Sequence, residues 1–215
     1  MPIRHATLMA IMLSFFVISP ASAEQIGDVG YYRVAHVADD DMLMVRAKPS
    51  AAADQIGSFG PHAKPIEVFE TDHGWARVSA NGRTGWVSMA YLAPYAPRMN
   101  KTLNLPEGFQ CWGTEPFWSA KFSESEVILS GVETISGDTL AIDSASGAPW
   151  KGSISLDNGT GKAIIHATRS CSDGMSDARY GWKVSLTFRQ TPPDSRTSLS
   201  YRIVRGCCRV PPKDQ

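Results

Sequence analysis

The chain has 215 residues, with 21 basic and 21 acidic side chains and a formal net charge of zero. That balance gives no electrostatic drive toward nucleic acid or an anionic membrane as partner. A length of this order limits the chain to one or two domains.

Residues 1–23, "MPIRHATLMAIMLSFFVISPASA", read as a signal peptide. Arg4 and His5 open it, an apolar run over 8–18 follows, and the small residues "ASA" precede Glu24. The apolar run is shorter than the roughly 20 residues that span a bilayer. No cysteine lies near the cleavage point to be acylated, and no later segment is apolar for long enough to insert. The expected location is periplasmic or secreted, with no membrane insertion after cleavage.

Residues 30–95 hold no cysteine and read as short strands separated by Gly and Pro. "MLMVRA" is a strand. In "PIEVFE", Ile66 and Val68 are expected inward and Glu67 and Phe69 outward. "GWARVSANGRTGWV" predicts a hairpin turning at Asn81-Gly82. Strands this short suggest a small closed barrel. Val45-Arg46, Pro49-Ser50, Ile56-Gly57, Val68, Gly74-Trp75 with Val78, Gly85-Trp86-Val87 and Tyr91-Leu92 together resemble the bacterial SH3-like (SH3b) family. Met44 stands where that family usually has asparagine before the Val-Arg pair. The resemblance implies a small barrel used as an accessory domain in exported proteins, some of which bind cell-wall peptides.

Aromatic side chains offer contact area at modest entropic cost, and acidic loops attract cationic groups. Tyr31, Tyr32, Trp75, Trp86 and Tyr91 are therefore candidate groove walls, and Asp39, Asp40 and Asp41 a candidate acidic loop. The need of a small barrel for buried tryptophan competes with a ligand role for Trp86.

The stretch "APYAPRMNKTLNLPEG" carries three prolines and little apolar periodicity, and residues 96–108 are expected to form a linker. Residues 109–210 hold all four cysteines and alternate strongly. Trp182, Val184, Leu186 and Phe188 share one face of a strand. Leu199, Tyr201 and Ile203 are expected to do the same on the next. "SEVILSG", "DTLAID", "WKGSISL" and "GKAIIHAT" supply further strands, two of them joined by a turn at "DNGTG". An antiparallel meander of roughly seven or eight strands follows, closed or half-open. The tail "PPKDQ" is expected to fray. The fold class is thus all-β, an SH3-like small barrel followed by a disulfide-stapled antiparallel β-barrel.

An even cysteine count in an exported chain implies disulfides. A bond between adjacent Cys207 and Cys208 is disfavoured by the separations that bridged Cα atoms require. Of the two remaining cross-pairings, Cys171–Cys207 with Cys111–Cys208 is the expectation. "CSDGMSDARY", residues 171–180, has the composition of a connector, and its aspartates can accept hydrogen bonds from local backbone donors. Read this way it is a turn stapled by Cys171 rather than a reactive site or a metal loop. Ser172 and Ser176 lack a motif-level base, and no GxSxG, SxxK or HExxH occurs.

"CWGTEPFW", then "CSDGMSDARY", then "GCC" resemble a group of uncharacterised bacterial envelope proteins that carry GTEPFW-like, CSDGMSD-like and Gly-Cys segments. Weaker similarity extends to barrels of heat-shock-induced envelope lipoproteins and of lysozyme inhibitors. The resemblance implies a fold and an envelope address, and Cys208, absent from that pattern, offers a partner for Cys111. Trp112, Glu115 and Trp118 are candidate pocket residues. The competing reading pairs Glu115 with Arg179 and uses the aromatics to plug the barrel.

These readings converge on a non-enzymatic envelope protein with no catalytic residue, metal or cofactor. Its expected partner is a cell-wall peptide or an envelope protein. The alternatives are an inhibitor or stress-response factor acting on a lysozyme-like enzyme, and a wall hydrolase targeted by its SH3-like module.

Overall fold

The computed structural model describes residues 25–26, 29–101, 103–123, 126–131, 135–144, 151–156, 161–190 and 200–213. The expected signal peptide, most of the "DNGTG" turn, the "TPPDSRTS" loop and Leu199 lie outside the described residues. Those residues form an all-β molecule with a single short 3-10 turn at Met89–Tyr91.

The first half carries, in chain order, β1 (Gln25–Ile26), β2 (Val29–Val34), β3 (Leu43–Arg46), β4 (Gln55–Phe59), β5 (Ile66–Val68), β6 (Glu70–Asp72), β7 (Trp75–Ala80), β8 (Arg83–Ser88) and β9 (Leu92–Pro94). One sheet orders β4-β3-β8-β7-β6, and the other joins β1, β5 and β9 to β2. β7 and β8 form the expected hairpin, with Ala80 opposite Arg83. Asn81 and Gly82 take φ values of 50° and 74°, the left-handed backbone that a two-residue hairpin turn needs. Val34, Leu43, Val45, Phe59, Ile66, Val78 and Val87 fill the space between the sheets.

Neither hairpin tryptophan belongs to that core. Trp75 and Trp86 are half-buried, while Ala76, Val78 and Val87 point inward between them. Period-two alternation turns Ala76, Val78, Gly85 and Val87 inward and so turns Trp75 and Trp86 outward, and at Gly85 there is no room for a side chain. A Cβ on Gly85 would stand 2.6 Å from the Arg46 carbonyl oxygen and 2.7 Å from Val45. Burying small and β-branched side chains here replaces the tryptophan core expected from sequence.

β5 also departs from expectation. Ile66, Glu67, Val68 and Phe69 are all buried, so the strand has no solvent face. Its outer side is covered by the second half of the chain.

That second half is a closed eight-stranded antiparallel barrel in chain order. Its strands are β10 (Gln110–Thr114), β11 (Phe117–Phe122), β12 (Glu126–Ser130), β13 (Ile135–Ser144), β14 (Lys151–Leu156), β15 (Gly161–Cys171), β16 (Tyr180–Gln190) and β17 (Ser200–Arg209). β10 pairs with β17 to close the cylinder, through Gln110–Arg209, Cys111–Cys208 and Trp112–Cys207. Trp182, Val184, Leu186 and Phe188 face inward as their alternation predicts. They meet Phe109, Trp118, Phe122, Leu129, Ile165 and Val204, with Phe109 edge-on to Trp182 at 5.2 Å.

β17 runs in the opposite phase to the one expected. Val204 is buried and Ile203 is 53% exposed. The cause is the disulfide Cys111–Cys208, which draws Cys208 into the barrel core and so turns the even-numbered residues inward. Because side chains alternate with period two, fixing one position fixes the whole strand. Adjacent Cys207 then points outward and bonds Cys171. Both pairings are the expected ones.

Residues 96–108 do not run as a free linker. Leu103 and Leu105 are fully buried in the barrel core, which stabilises by about 1.5–3 kcal/mol each. Asn100, also buried, accepts from the Leu103 N–H at 2.8 Å and donates its amide to the Ser123 carbonyl at 2.8 Å. The tail is held as well, since the backbones of Lys64 and Lys213 exchange hydrogen bonds at 2.8 and 3.3 Å.

Candidate functional site

The two halves meet through a buried polar chain. The Trp182 indole N–H donates to the Tyr31 hydroxyl at 3.0 Å, and the Tyr31 hydroxyl donates to Glu67 Oε1 at 3.4 Å. Glu67 Oε1 also accepts from the Val210 N–H at 3.0 Å. Burial pushes the Glu67 carboxyl up to about 7, against the lowering effects of the Val210 N–H, the Arg209 charge, the Gly181 N–H and the Tyr31 hydroxyl. Burial and the nearby Glu67 likewise hold the Tyr31 phenol well above its ordinary range. Tyr31, a candidate groove wall by sequence, is therefore a structural joint.

A groove of about 610 Å³ opens on the first half. Its walls include Trp75, Tyr91, Met42 and Met44, with Asp41, Arg46 and His36 among its polar groups. Trp75 arrives at the start of β7, and the 3-10 turn after β8 delivers Tyr91. Ser88 caps that turn by accepting from the Ala90 N–H at 3.3 Å. Met42 and Tyr91 are 40% and 44% exposed, large apolar groups left without an intramolecular cover. Arg46 is braced by donating to the Ala53 carbonyl at 3.1 Å. Asp41 Oδ1 accepts from the Met42 N–H at 2.7 Å, which aims the loop.

Of the residues singled out from sequence, Asp41, Trp75 and Tyr91 come together in this groove. Asp39 turns aside to His62, 3.1 Å away, and Asp40 is exposed outside the groove. Trp86 lies under the Arg77 guanidinium, 5.9 Å from its ring centre, and Tyr32 packs on the core of the first half. His36, Met42 and Met44 were missed. In the sequence Met44 stands out only as a departure from the resemblance's pattern, not as a site residue. His36 sits at φ 59°, a left-handed conformation that its residue type does not announce.

In the barrel, Trp112, Glu115 and Trp118 do not share a pocket. Trp118 is buried inside, its indole N–H donating to the Arg205 carbonyl at 3.3 Å. Trp112 faces outward, edge-on to Tyr180 at 4.7 Å. Glu115 is exposed in the turn between β10 and β11, and a Glu115–Arg179 ion pair is not among those of the described residues. Phe117 is 66% exposed, so it does not plug the barrel.

Residues 171–180 form a stapled turn. Asp173 Oδ1 accepts from the N–H groups of Met175 at 3.0 Å and Ser176 at 2.9 Å, and Oδ2 from the Tyr180 hydroxyl at 3.0 Å. Partial burial raises the Asp173 pKa, but the Ser176 and Met175 N–H groups and the Ser176 and Tyr180 hydroxyls outweigh it, leaving a net lowering. Arg179 binds the other half of the molecule through its backbone, exchanging hydrogen bonds with Ser79 Oγ at 2.7 and 3.0 Å. Thr84 adds a bond to the Asp177 carbonyl at 2.9 Å.

No curated protein and no solved structure shows significant similarity to the chain. Residues 43–93, which span β3 to β9 and most of the groove wall, match the family model described as Bacterial SH3 domain.

Proposed function

We propose that the protein is an exported, non-enzymatic binding protein of the bacterial cell envelope. Its SH3-like half takes a cell-wall peptide, or an extended loop of an envelope protein, in the groove walled by Trp75 and Tyr91. The observation that carries this reading is the groove itself. Trp75, Tyr91 and Met44 of the segment that matches Bacterial SH3 domain join Met42 and the Asp41 carboxylate just before it, with Arg46 and His36 as the other charged or titratable groups. Such a lining suits an extended chain that presents an amine beside aliphatic groups. Two disulfides fit the oxidising compartment that export would supply. The test is co-sedimentation of the full mature chain with purified peptidoglycan sacculi. Retention that Trp75→Ala and Tyr91→Ala each weaken supports wall binding, and no retention removes it.

A further inference from the structure

The outer wall of the barrel carries a second groove, of about 780 Å³, independent of the SH3-like one. One lip is the turn after β10, with Glu115 and Phe117, and the other is the stapled turn, with Ser172, Asp173 and Met175. The Cys171–Cys207 bond anchors the second lip to β17. Thr114 Oγ1 donates to the Asp173 carbonyl at 2.7 Å, tying the lips together at one end.

Lys183 of β16 and Arg205 of β17 stand on the floor, both exposed. Lys183 is opposite Cys207 and Arg205 is opposite Ser185, so the two cations are diagonal neighbours on one face. Such neighbours lie about 7–8 Å apart, within reach of a single small anion between them. Neither forms an ion pair among the described residues. The nearby Asp173 carboxylate is not ion-paired with either cation; its oxygens accept from Met175, Ser176 and Tyr180. On the lips, Phe117 and Met175 are 66% and 69% exposed, the most exposed large apolar side chains among the described residues.

We propose that this groove is a second binding site, one that takes the C-terminus of an extended peptide: a free carboxylate on Lys183 and Arg205, and an apolar last side chain between Phe117 and Met175. A C-terminal residue presents both groups from one Cα, matching cations on the floor and apolar groups on the lips. The carboxylates of Glu115 and Asp173 at the edges disfavour a multiply charged anion such as a phosphorylated ligand. The apolar contact extends over about one side chain rather than the length of an acyl chain, which favours a peptide over a lipid.

The test is calorimetric titration of the full mature chain with acetyl-Ala-Ala-Leu bearing a free carboxylate and with its C-terminal amide. The acid should bind at least tenfold more tightly than the amide. Lys183→Gln combined with Arg205→Gln should abolish the difference, and Phe117→Ala should weaken the acid severalfold, with unchanged melting temperatures because all three side chains are exposed. Trp75→Ala should leave this binding intact, which separates the site from the SH3-like groove. Equal affinity for acid and amide, no binding of either at millimolar peptide, or wild-type binding by the double variant would overturn the proposal. So would retention on phosphatidylglycerol vesicles without peptide binding.

Discussion

Trp182 and Tyr31 are 151 residues apart in sequence, yet the indole N–H of the barrel strand donates to the phenol of the first half at 3.0 Å. Tyr31 belongs to the same buried cluster as the barrel core. The two halves are therefore one packed body, joined also through Glu67, Ser79 and the Lys64–Lys213 bridge.

A joint of this kind makes unfolding cooperative across both halves. Urea denaturation followed by tryptophan fluorescence and by far-ultraviolet dichroism should give coincident transitions. Tyr31→Phe removes the hydroxyl from a buried chain and should cost about 1–3 kcal/mol, still in one transition. Two separated transitions in the wild-type protein would show the halves to be independent.

Glu67 makes the joint pH-sensitive. Its carboxyl holds its proton up to about 7 in the folded protein, against an ordinary value of 4.5. Between those values the folded state binds the proton and the unfolded state does not, so stability falls as pH rises through the window. The contribution is fully present below 4.5 and lost above 7, a change of about 3 kcal/mol. Glu67→Gln mimics the protonated form and should remove this slope. Stability of the wild type relative to Glu67→Gln, measured at intervals from pH 4 to 8, checks it, and parallel profiles would contradict it.

The two disulfides should differ in what they hold. Closing loops of 36 and 97 residues restricts the unfolded chain by about 3–4 and 4–5 kcal/mol in the chain-entropy model. Replacing Cys111 and Cys208 with alanine should lower stability and disturb barrel closure, because that bond lies in the β10–β17 seam. Replacing Cys171 and Cys207 should lower stability by the smaller amount and, in addition, loosen residues 172–178, read as amide exchange that rises more in that turn than elsewhere.

Asp173 organises the same turn. Asp173→Ala leaves the Met175 and Ser176 N–H groups and the Tyr180 hydroxyl without their acceptor, and should cost about 1–3 kcal/mol. Because its pKa is lowered in the folded protein, its contribution is present above the ordinary carboxylate range and lost as pH falls through the folded value. Thermal melts at pH 7 and pH 3 should show a smaller gap between wild type and Asp173→Ala at the lower pH.

Period-two alternation carried β16, and the Asn81-Gly82 pair carried its hairpin, because both are local signals. The stapled turn was legible for the same reason, since Asp173 bonds residues two and three places on. What the sequence concealed is set by distant parts. Glu67 and Phe69 alternate as though one face were wet, and only the docking of β17 and its tail covers them. The alternation of Leu199, Tyr201 and Ile203 points to the wrong phase for β17, because Cys208 decides it through Cys111. Trp75 and Trp86 are alike in type and hairpin setting. The groove claims Trp75, while Arg77 covers Trp86.

The central claim is that the groove beside Trp75 and Tyr91 binds an extended peptide. The direct measurement is a two-dimensional NMR titration of the isotope-labelled chain with soluble stem peptides released from sacculi. Binding there moves the Trp75 indole resonance and the amides of His36, Asp41–Arg46 and Ser88–Tyr91 in a saturable way, and Tyr91→Ala weakens it about thirtyfold, the effect of losing a contact worth about 2 kcal/mol. Absence of any shift at millimolar peptide, or shifts that leave the Trp75 and Tyr91 signals unmoved, would contradict it.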